Sequence, residues 1–368
     1  MLLCRSLAPI LILLGGVSAA IIPNNDSFLK PNTQQVLSIA KEAGGLLPNL
    51  PLPTKLGPGS RTTFQLIAFT ELVEVAFFNS LVQNVTKGNK GYEINGHVEN
   101  ITKILTTIQA QEKQHAIAAD TALKTAGEFS PTACEYQFPA SDLAGAIRLA
   151  STFTAVVLGS LQGANVAFAK ENLAVPIQLV SSVIGEEAEQ NGFYRHLVKQ
   201  VPSESPFLTA IPAAFIFSAL QPFIVPGSCP YPLTNIDLPI LPPLAVNGGL
   251  IATVEPKDQR LSFAADLTDA KNATAFAGSD GAELWLTYTT GQQKPISVAT
   301  DNVKWNDKKI SFEADFPFQK NVMVGLSHAA LTTAKDFQTV DDIVGSTLAA
   351  PAIIQVENTS DCNKLADI

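Results

Sequence analysis

Residues 105–126 read LTTIQAQEKQHAIAADTALKTA, and the spacing inside this stretch decides the fold. Leu105, Ile108, Glu112, His115, Ala119, Ala122 and Ala126 recur at alternating intervals of three and four, the interior stripe of a bundle helix. Three more segments carry the same period. One stripe is Phe64, Ile67, Glu71, Glu74, Phe78, Leu81 and Val85. Another runs from Leu143 through Ala146, Ala150, Phe153, Val157, Ser160 and Ala164 to Ala167. The last is Val180, Val183, Glu187, Gln190, Tyr194 and Leu197. The pattern predicts helices over about 61–85, 97–126, 141–170 and 176–200, each roughly 40 Å long at 1.5 Å per residue. A short helix, Thr33 to Ala43, is expected in the Pro/Gly-rich lead-in at 21–60.

The connections order these helices. Short links join the first helix to the second and the third to the fourth, as antiparallel neighbours require. Residues 127–140 lie between the pairs, and extended they reach roughly 45–50 Å, enough to recross the bundle lengthwise. One long crossover is the mark of ferritin-like connectivity. Beyond the fourth helix the period changes. Residues 201–248 are proline-rich and read as an extended connector. From 249 to 357 alternation takes over: Leu261, Phe263 and Ala265; Ile310, Phe312 and Ala314; Val322, Val324 and Leu326. Asn306-Asp307-Lys308-Lys309 marks a hairpin. The expected architecture is α+β in separate domains: a ferritin-like four-helix bundle over 61–200, then a small all-β, immunoglobulin-like sandwich over 249–357 and a tail at 358–368.

Composition narrows the function classes. The 368 residues are 46% hydrophobic and 15% charged, with net charge −9. An acidic chain without a basic patch is a poor partner for nucleic acid or an anionic membrane. Residues 1–20 read as a signal peptide: Arg5, an apolar run from Leu7 to Val17, and small residues Val17 and Ala19 at −3 and −1 of a cleavage site. Sequons at Asn25, Asn84, Asn100, Asn272 and Asn358 suit a glycosylated secretory product. The uncharged stretch Phe207–Val225 contains Pro212 and Pro222 and suits a short buried helix with turns better than a membrane span.

The bundle stripes contain the chemistry. Glu71 and Glu74 sit in the first, Glu112-x-x-His115 in the second and Glu187-x-x-Gln190 in the fourth, while the third offers only Ser160. A carboxylate di-metal site takes one Glu from each of two helices and Glu-x-x-His from each of the other two. The i, i+3 spacing sets Glu and His side by side on one face. The candidate ligands are Glu74 ahead of Glu71, with Glu112, His115, Glu187 and Gln190, and iron or manganese is the ion such donors suit. Three readings stand side by side: a cation in the pocket, a relic held neutral by protonation and hydrogen bonds, or a stripe displaced by one position. Burying these carboxylates without a counter-charge costs several kcal/mol per ion. His97, His196 and His328 lie off the stripes and read as surface or loop histidines.

Together, FTELVEVAFFNSL (69–81), QEKQHAIAADTAL (111–123), LQGANVAFAKEN (161–172) and EEAEQNGFYRHL (186–197) resemble the ferritin-like domain of fungal Rds1-type stress proteins and late sexual development proteins. Plant desiccation-related proteins are similar at greater distance. PFIVPGSCPYPL (222–233) is similar to a Phe-Ile-x-x-Cys-Pro stretch after the fourth helix in that group. The resemblance implies a secreted protein of stress response or sexual development. It also implies Glu-x-x-His in the fourth helix, where this chain has Gln190, and a third-helix Glu, where it has none. The metal site therefore reads as degenerate, and catalysis is not expected. The alternative is a non-enzymatic cell-wall or matrix protein that uses the bundle as scaffold and the sandwich to bind a polysaccharide or protein. No Gly-x-Ser-x-Gly elbow, His-Glu-x-x-His or phosphate loop supports a hydrolase.

Cleavage of the leader leaves Cys134, Cys229 and Cys362, which allow three pairings. Cys134 lies in the crossover and Cys229 in the strap after the fourth helix. That strap should begin at the end of the bundle where the crossover runs, so Cys134–Cys229 is the expected disulfide.

Overall fold

The computed structural model describes residues 20–21, 30–94, 98–270 and 273–357. Residues 1–19 of the expected leader, the sequons at Asn25, Asn272 and Asn358, His97 and Cys362 lie outside them. The chain divides into two compact units.

The helical unit is built on α1 (Thr33–Ala43), α2 (Pro58–Thr86), α3 (Val98–Thr125), α4 (Leu143–Lys170) and α5 (Ala174–Leu197). α1 is bounded by a capping box, in which Asn32 and Gln35 exchange side-chain-to-backbone bonds, and by Gly44 at φ 84. α2 starts with Pro58 at its first turn, where no N–H is needed. Its other free N–H groups are met from a distance: the Glu171 carboxylate accepts from the backbone of Gly57 (3.1 Å), Gly59 (3.0 Å) and Ser60 (3.2 Å). Asp142 caps α4 by accepting from Gly145 N–H at 2.7 Å.

α2 packs on α3 and on α4, and α4 packs on α5. α2 and α4 are long and apolar enough to cross a membrane, and both are mostly buried in the bundle, as core helices are. Residues 126–142 make the long crossover. Within it β2 (Glu135–Tyr136) pairs with β1 (Ala20–Ile21). It is also bonded to the strap after α5, through Gln137 N–H to Phe223 O (2.8 Å) and Val225 N–H to Glu135 O (2.9 Å). The Cys134–Cys229 disulfide locks this junction.

The second unit holds two β-sheets. Strands β3 (Ala245–Val246), β4 (Ile251–Val254), β5 (Gln259–Asp266), β6 (Trp285–Thr290), β7 (Ile296–Ala299), β8 (Asp301–Asn306), β9 (Lys309–Phe316), β10 (Gly325–Thr332) and β11 (Thr347–Val356) form a five-stranded sheet, β4-β11-β10-β6-β7, and a four-stranded sheet, β3-β5-β9-β8. Alternation places Leu261, Phe263 and Ala265 of β5 and Ile310, Phe312 and Ala314 of β9 in one apolar core with Leu286, Leu331 and Ile354 of the other sheet. The Phe263 and Phe312 rings stack across the strands at 5.4 Å. The β8–β9 hairpin closes on Asp307, whose φ of 54 supplies the left-handed turn residue.

Three expectations need correction. Residues 201–248 are not one extended connector: Glu204–Ala219 belongs to the β unit and Leu220–Pro239 to the helical unit. The apolar run within it folds as α6 (Ala213–Leu220), about 12 Å long at helical rise and too short to span a bilayer. Val322–Leu326 is not a strand. Phe318–Asn321 forms a helical turn, Val322 is left-handed at φ 49 and exposed, and the strand begins at Gly325. That shift makes His328 a fully buried strand residue, not a surface or loop histidine. His196 is exposed.

Candidate metal centre

The four stripes converge as their spacing requires, and α2, α3 and α5 bring acidic side chains to one place. One ligand atom from each of Glu71, Glu112, His115 and Glu187 lies within 4.8 Å of the others. His115 Nδ1 is 3.1 Å from Glu112 Oε2, 3.5 Å from Glu71 Oε2 and 3.9 Å from Glu187 Oε1. The carboxylates are buried, while the His115 side chain keeps 13% exposure, so the centre opens to solvent on the imidazole side.

Hydrogen bonding leaves the oxygens available. Both Glu71 oxygens, both Glu187 oxygens and Glu74 Oε2 have no hydrogen-bond partner among the described residues. Buried carboxylate oxygens without donors are rare in folded proteins, because the desolvation cost goes unmet. A cation is the partner this donor set fits, since carboxylates with imidazole suit iron, manganese or zinc.

The proton affinities reflect the same crowding. Burial, reinforced by Glu112, pushes the Glu71 carboxyl up to about 7 against the opposing pull of His115. Burial also drives Glu74 and Glu187 well above the ordinary carboxylate range, with neighbouring carboxylates adding to it. For His115, burial opposes the charge, yet Glu71 and Glu112 hold the imidazolium well above the usual histidine range. These are groups that exchange protons for a metal ion.

Placement of the candidates is uneven. Glu71, not Glu74, joins the four-residue group. Glu74, one turn along α2, lies close enough for Glu187, Glu112 and Glu71 to raise it. Gln190 is not among the converging ligands. Its Nε2 donates to Glu186 Oε1 at 2.7 Å and to Gln111 Oε1 at 3.3 Å, and its Oε1 accepts from Tyr194 at 3.1 Å. Ser160 of α4 is half-buried. Among the sequon residues, Asn100 is exposed in the first turn of α3 and Asn84 is half-buried near the end of α2.

Glu186 was not legible from the stripe. Its Oε2, itself a buried atom, stands 3.6 Å from His115 Nε2. The residue precedes Glu187, about 100° around the helix from the interior line, where a stripe reading sees a solvated face. A usable signal was the doublet Glu186-Glu187 with Gln190 four residues after its first member.

Residues 62–200 match the Ferritin-like domain family, a span that begins inside α2 and ends just after α5. No curated protein matches the chain.

Proposed function

We propose that this ferritin-like bundle is a metal-binding domain of a secreted protein that serves stress response or sexual development and holds one ion, or a weakly bound pair, without robust oxidase turnover. The convergence of Glu71, Glu112, His115 and Glu187, with buried oxygens lacking donors, carries the metal reading. Secretion rests on the leader pattern and the sequons, and the biological role on the resemblance of the four helices. The β unit we take as an immunoglobulin-like sandwich on its alternation and its two sheets.

The chain's own residues divide the work. Glu71, Glu112 and Glu187 offer anionic oxygen donors, and His115 offers Nδ1. Iron or manganese bound there would supply Lewis acidity and, for iron, a one-electron couple. Glu186 places a carboxylate oxygen 3.6 Å from the far ring nitrogen, an electrostatic partner for the imidazole, and Gln190 holds Glu186 in place. α4 contributes no carboxylate and Gln190 stands where a second imidazole would anchor a second ion, so lability is expected.

Elemental analysis of the secreted protein tests this reading. Iron or manganese at about one ion per chain is the expected result, after reconstitution if purification strips it. Ser160→Glu with Gln190→His should raise the affinity, and wild type should oxidise little ferrous iron above buffer. Absence of either metal after reconstitution sinks the metal reading, and fast stoichiometric two-iron oxidation sinks the degenerate-site reading. N-terminal sequencing of secreted material should begin at Ala20.

A further inference from the structure

The outer face of the four-stranded sheet carries a trough that the bundle chemistry does not explain. Register pairs Ala245 with Ala264, Ala264 with Ser311, and Ser311 with Lys304, so one row across β3, β5, β9 and β8 presents three small side chains ending in a lysine. The neighbouring row is Asp266, Lys309 and Asn306, and the row on the other side is Ser262, Glu313 and Asp301. Small residues between two rows of long polar ones leave a channel. Across four strands it runs roughly 14–15 Å, with each bank about 7 Å from the floor. An open cleft of about 460 Å³ lies over this floor and the Asp266–Lys309–Asn306 bank. Pro243 and Leu250 lie at its β3 end, while Trp305 of β8, opposite Ile310, turns its ring to the core side.

A β-bulge builds this row. Asp301 faces Glu313 and Lys304 faces Ser311, so β8 uses one residue more than β9 between the two pairs, with Asn302 left-handed at φ 51. Without the extra residue, Val303 would face Ser311 and Lys304 would point to the core side. The banks are ordered beforehand: Arg260 pairs with Asp301 at 2.8 Å, Asn302 donates to Glu313 at 2.7 Å, and Lys309 lies 3.4 Å from Asp266. Lys304 and Asn306, by contrast, make no side-chain hydrogen bond or ion pair among the described residues. The Trp305 indole is fixed by donating to Ser279 O at 2.9 Å.

We propose that this trough binds a neutral oligosaccharide lying across the strands. Charge argues for neutrality: Arg260, Lys304 and Lys309 are interleaved with Asp266, Asp301, Glu313 and Asp315, so the face attracts neither polyanion nor polycation. The banks offer donors and acceptors together, which match hydroxyls able to act as either. An extended peptide fits worse. The face presents side chains and no free main-chain groups, so the peptide's own N–H and C=O groups would go unpaired. The apolar β3 end contributed by Pro243 and Leu250 suits the C–H faces of sugar rings.

The experiment is titration calorimetry of the full chain with cellohexaose, laminarihexaose and chitohexaose, with an oligogalacturonate as the anionic control. At least one neutral hexasaccharide should bind. Ser311→Trp fills the floor at an exposed position and should weaken binding by at least about tenfold, and Lys304→Ala, which removes an end group without adding bulk, should weaken it several-fold. Chelator treatment should leave binding unchanged, which separates this site from the metal centre. The proposal is overturned if none of the three binds at millimolar concentration, if only the oligogalacturonate binds, or if both variants bind as wild type does.

Discussion

Glu186 Oε2 lies 3.6 Å from His115 Nε2, while Nδ1 of the same ring lies 3.1 Å from Glu112. The imidazole is thus held between a buried acidic group on one edge and a half-exposed carboxylate on the other. A carboxylate on the far nitrogen fixes the tautomer and raises the basicity of the ligating atom. Glu186→Gln should therefore weaken iron or manganese binding about 10–100-fold, with the metal-free protein folded as before. Calorimetric titration of both proteins checks this, and equal affinities would remove Glu186 from the centre.

The buried carboxylates should oppose folding when no cation is present. Glu71 and Glu187 are fully enclosed, their oxygens have no donors among the described residues, and their neighbours are acidic. Replacing such a buried, donor-poor acid by a neutral amide removes a desolvation cost that the metal-free fold bears. Glu187→Gln should raise the melting temperature of the chelated protein and abolish metal-dependent stabilisation. If the variant melts lower than wild type without metal, hydrogen bonds and not a cation hold this pocket.

Cys134–Cys229 closes a loop of 95 residues that joins the crossover to the strap. In the chain-entropy account such a closure is worth roughly 4–5 kcal/mol. Cys134→Ala with Cys229→Ala should lower stability in denaturant by up to that amount, and should expose the Glu135 and Gln137 backbone amides to hydrogen exchange. Unchanged exchange there would mean that the strap's backbone hydrogen bonds suffice alone.

The stripes were legible because bundle packing repeats every three or four residues, and each carboxylate placed on them is enclosed. α1 was legible for a local reason, the Asn32–Gln35 box and Gly44. What escaped lay where a period says least. Glu186 sits on the edge of its helix, where exposure and function look alike. A short helix within Phe207–Val225 was expected and forms as α6, but the prolines around it hid the division of 201–248 between the two units. In β10, GLSHAALT is buried on both faces and shows no alternation, so the period-two reading fell on Val322–Leu326 instead. The preference for Glu74 rested on helix position, whereas a turn's difference along α2 sets Glu71 beside His115.

His328 gives the β unit a pH dependence of opposite sign to that of the bundle. Its ring is fully buried, Nδ1 meets Thr289 Oγ1 at 3.2 Å, Nε2 has no partner among the described residues, and burial lowers its pKa to about 3. The unfolded chain therefore takes up a proton near 6.5 that the folded unit refuses, and stability is lost as pH falls from 6.5 toward 3. In the bundle, Glu71 is raised from 4.5 to about 7, with Glu74, Glu187 and His115 raised as well. There the folded state binds the extra protons, so the chelated bundle loses stability as pH rises from 4.5 through 7 and beyond. Both tryptophans, Trp285 and Trp305, belong to the β unit, so their fluorescence follows it, while helical circular dichroism follows the bundle. Melts of the chelated protein between pH 4 and 8 should show the two signals moving in opposite directions. His328→Gln should flatten the fluorescence trend alone, and adding Mn²⁺ should flatten the helical trend alone. Parallel trends in both signals would refute the assignment of opposite signs.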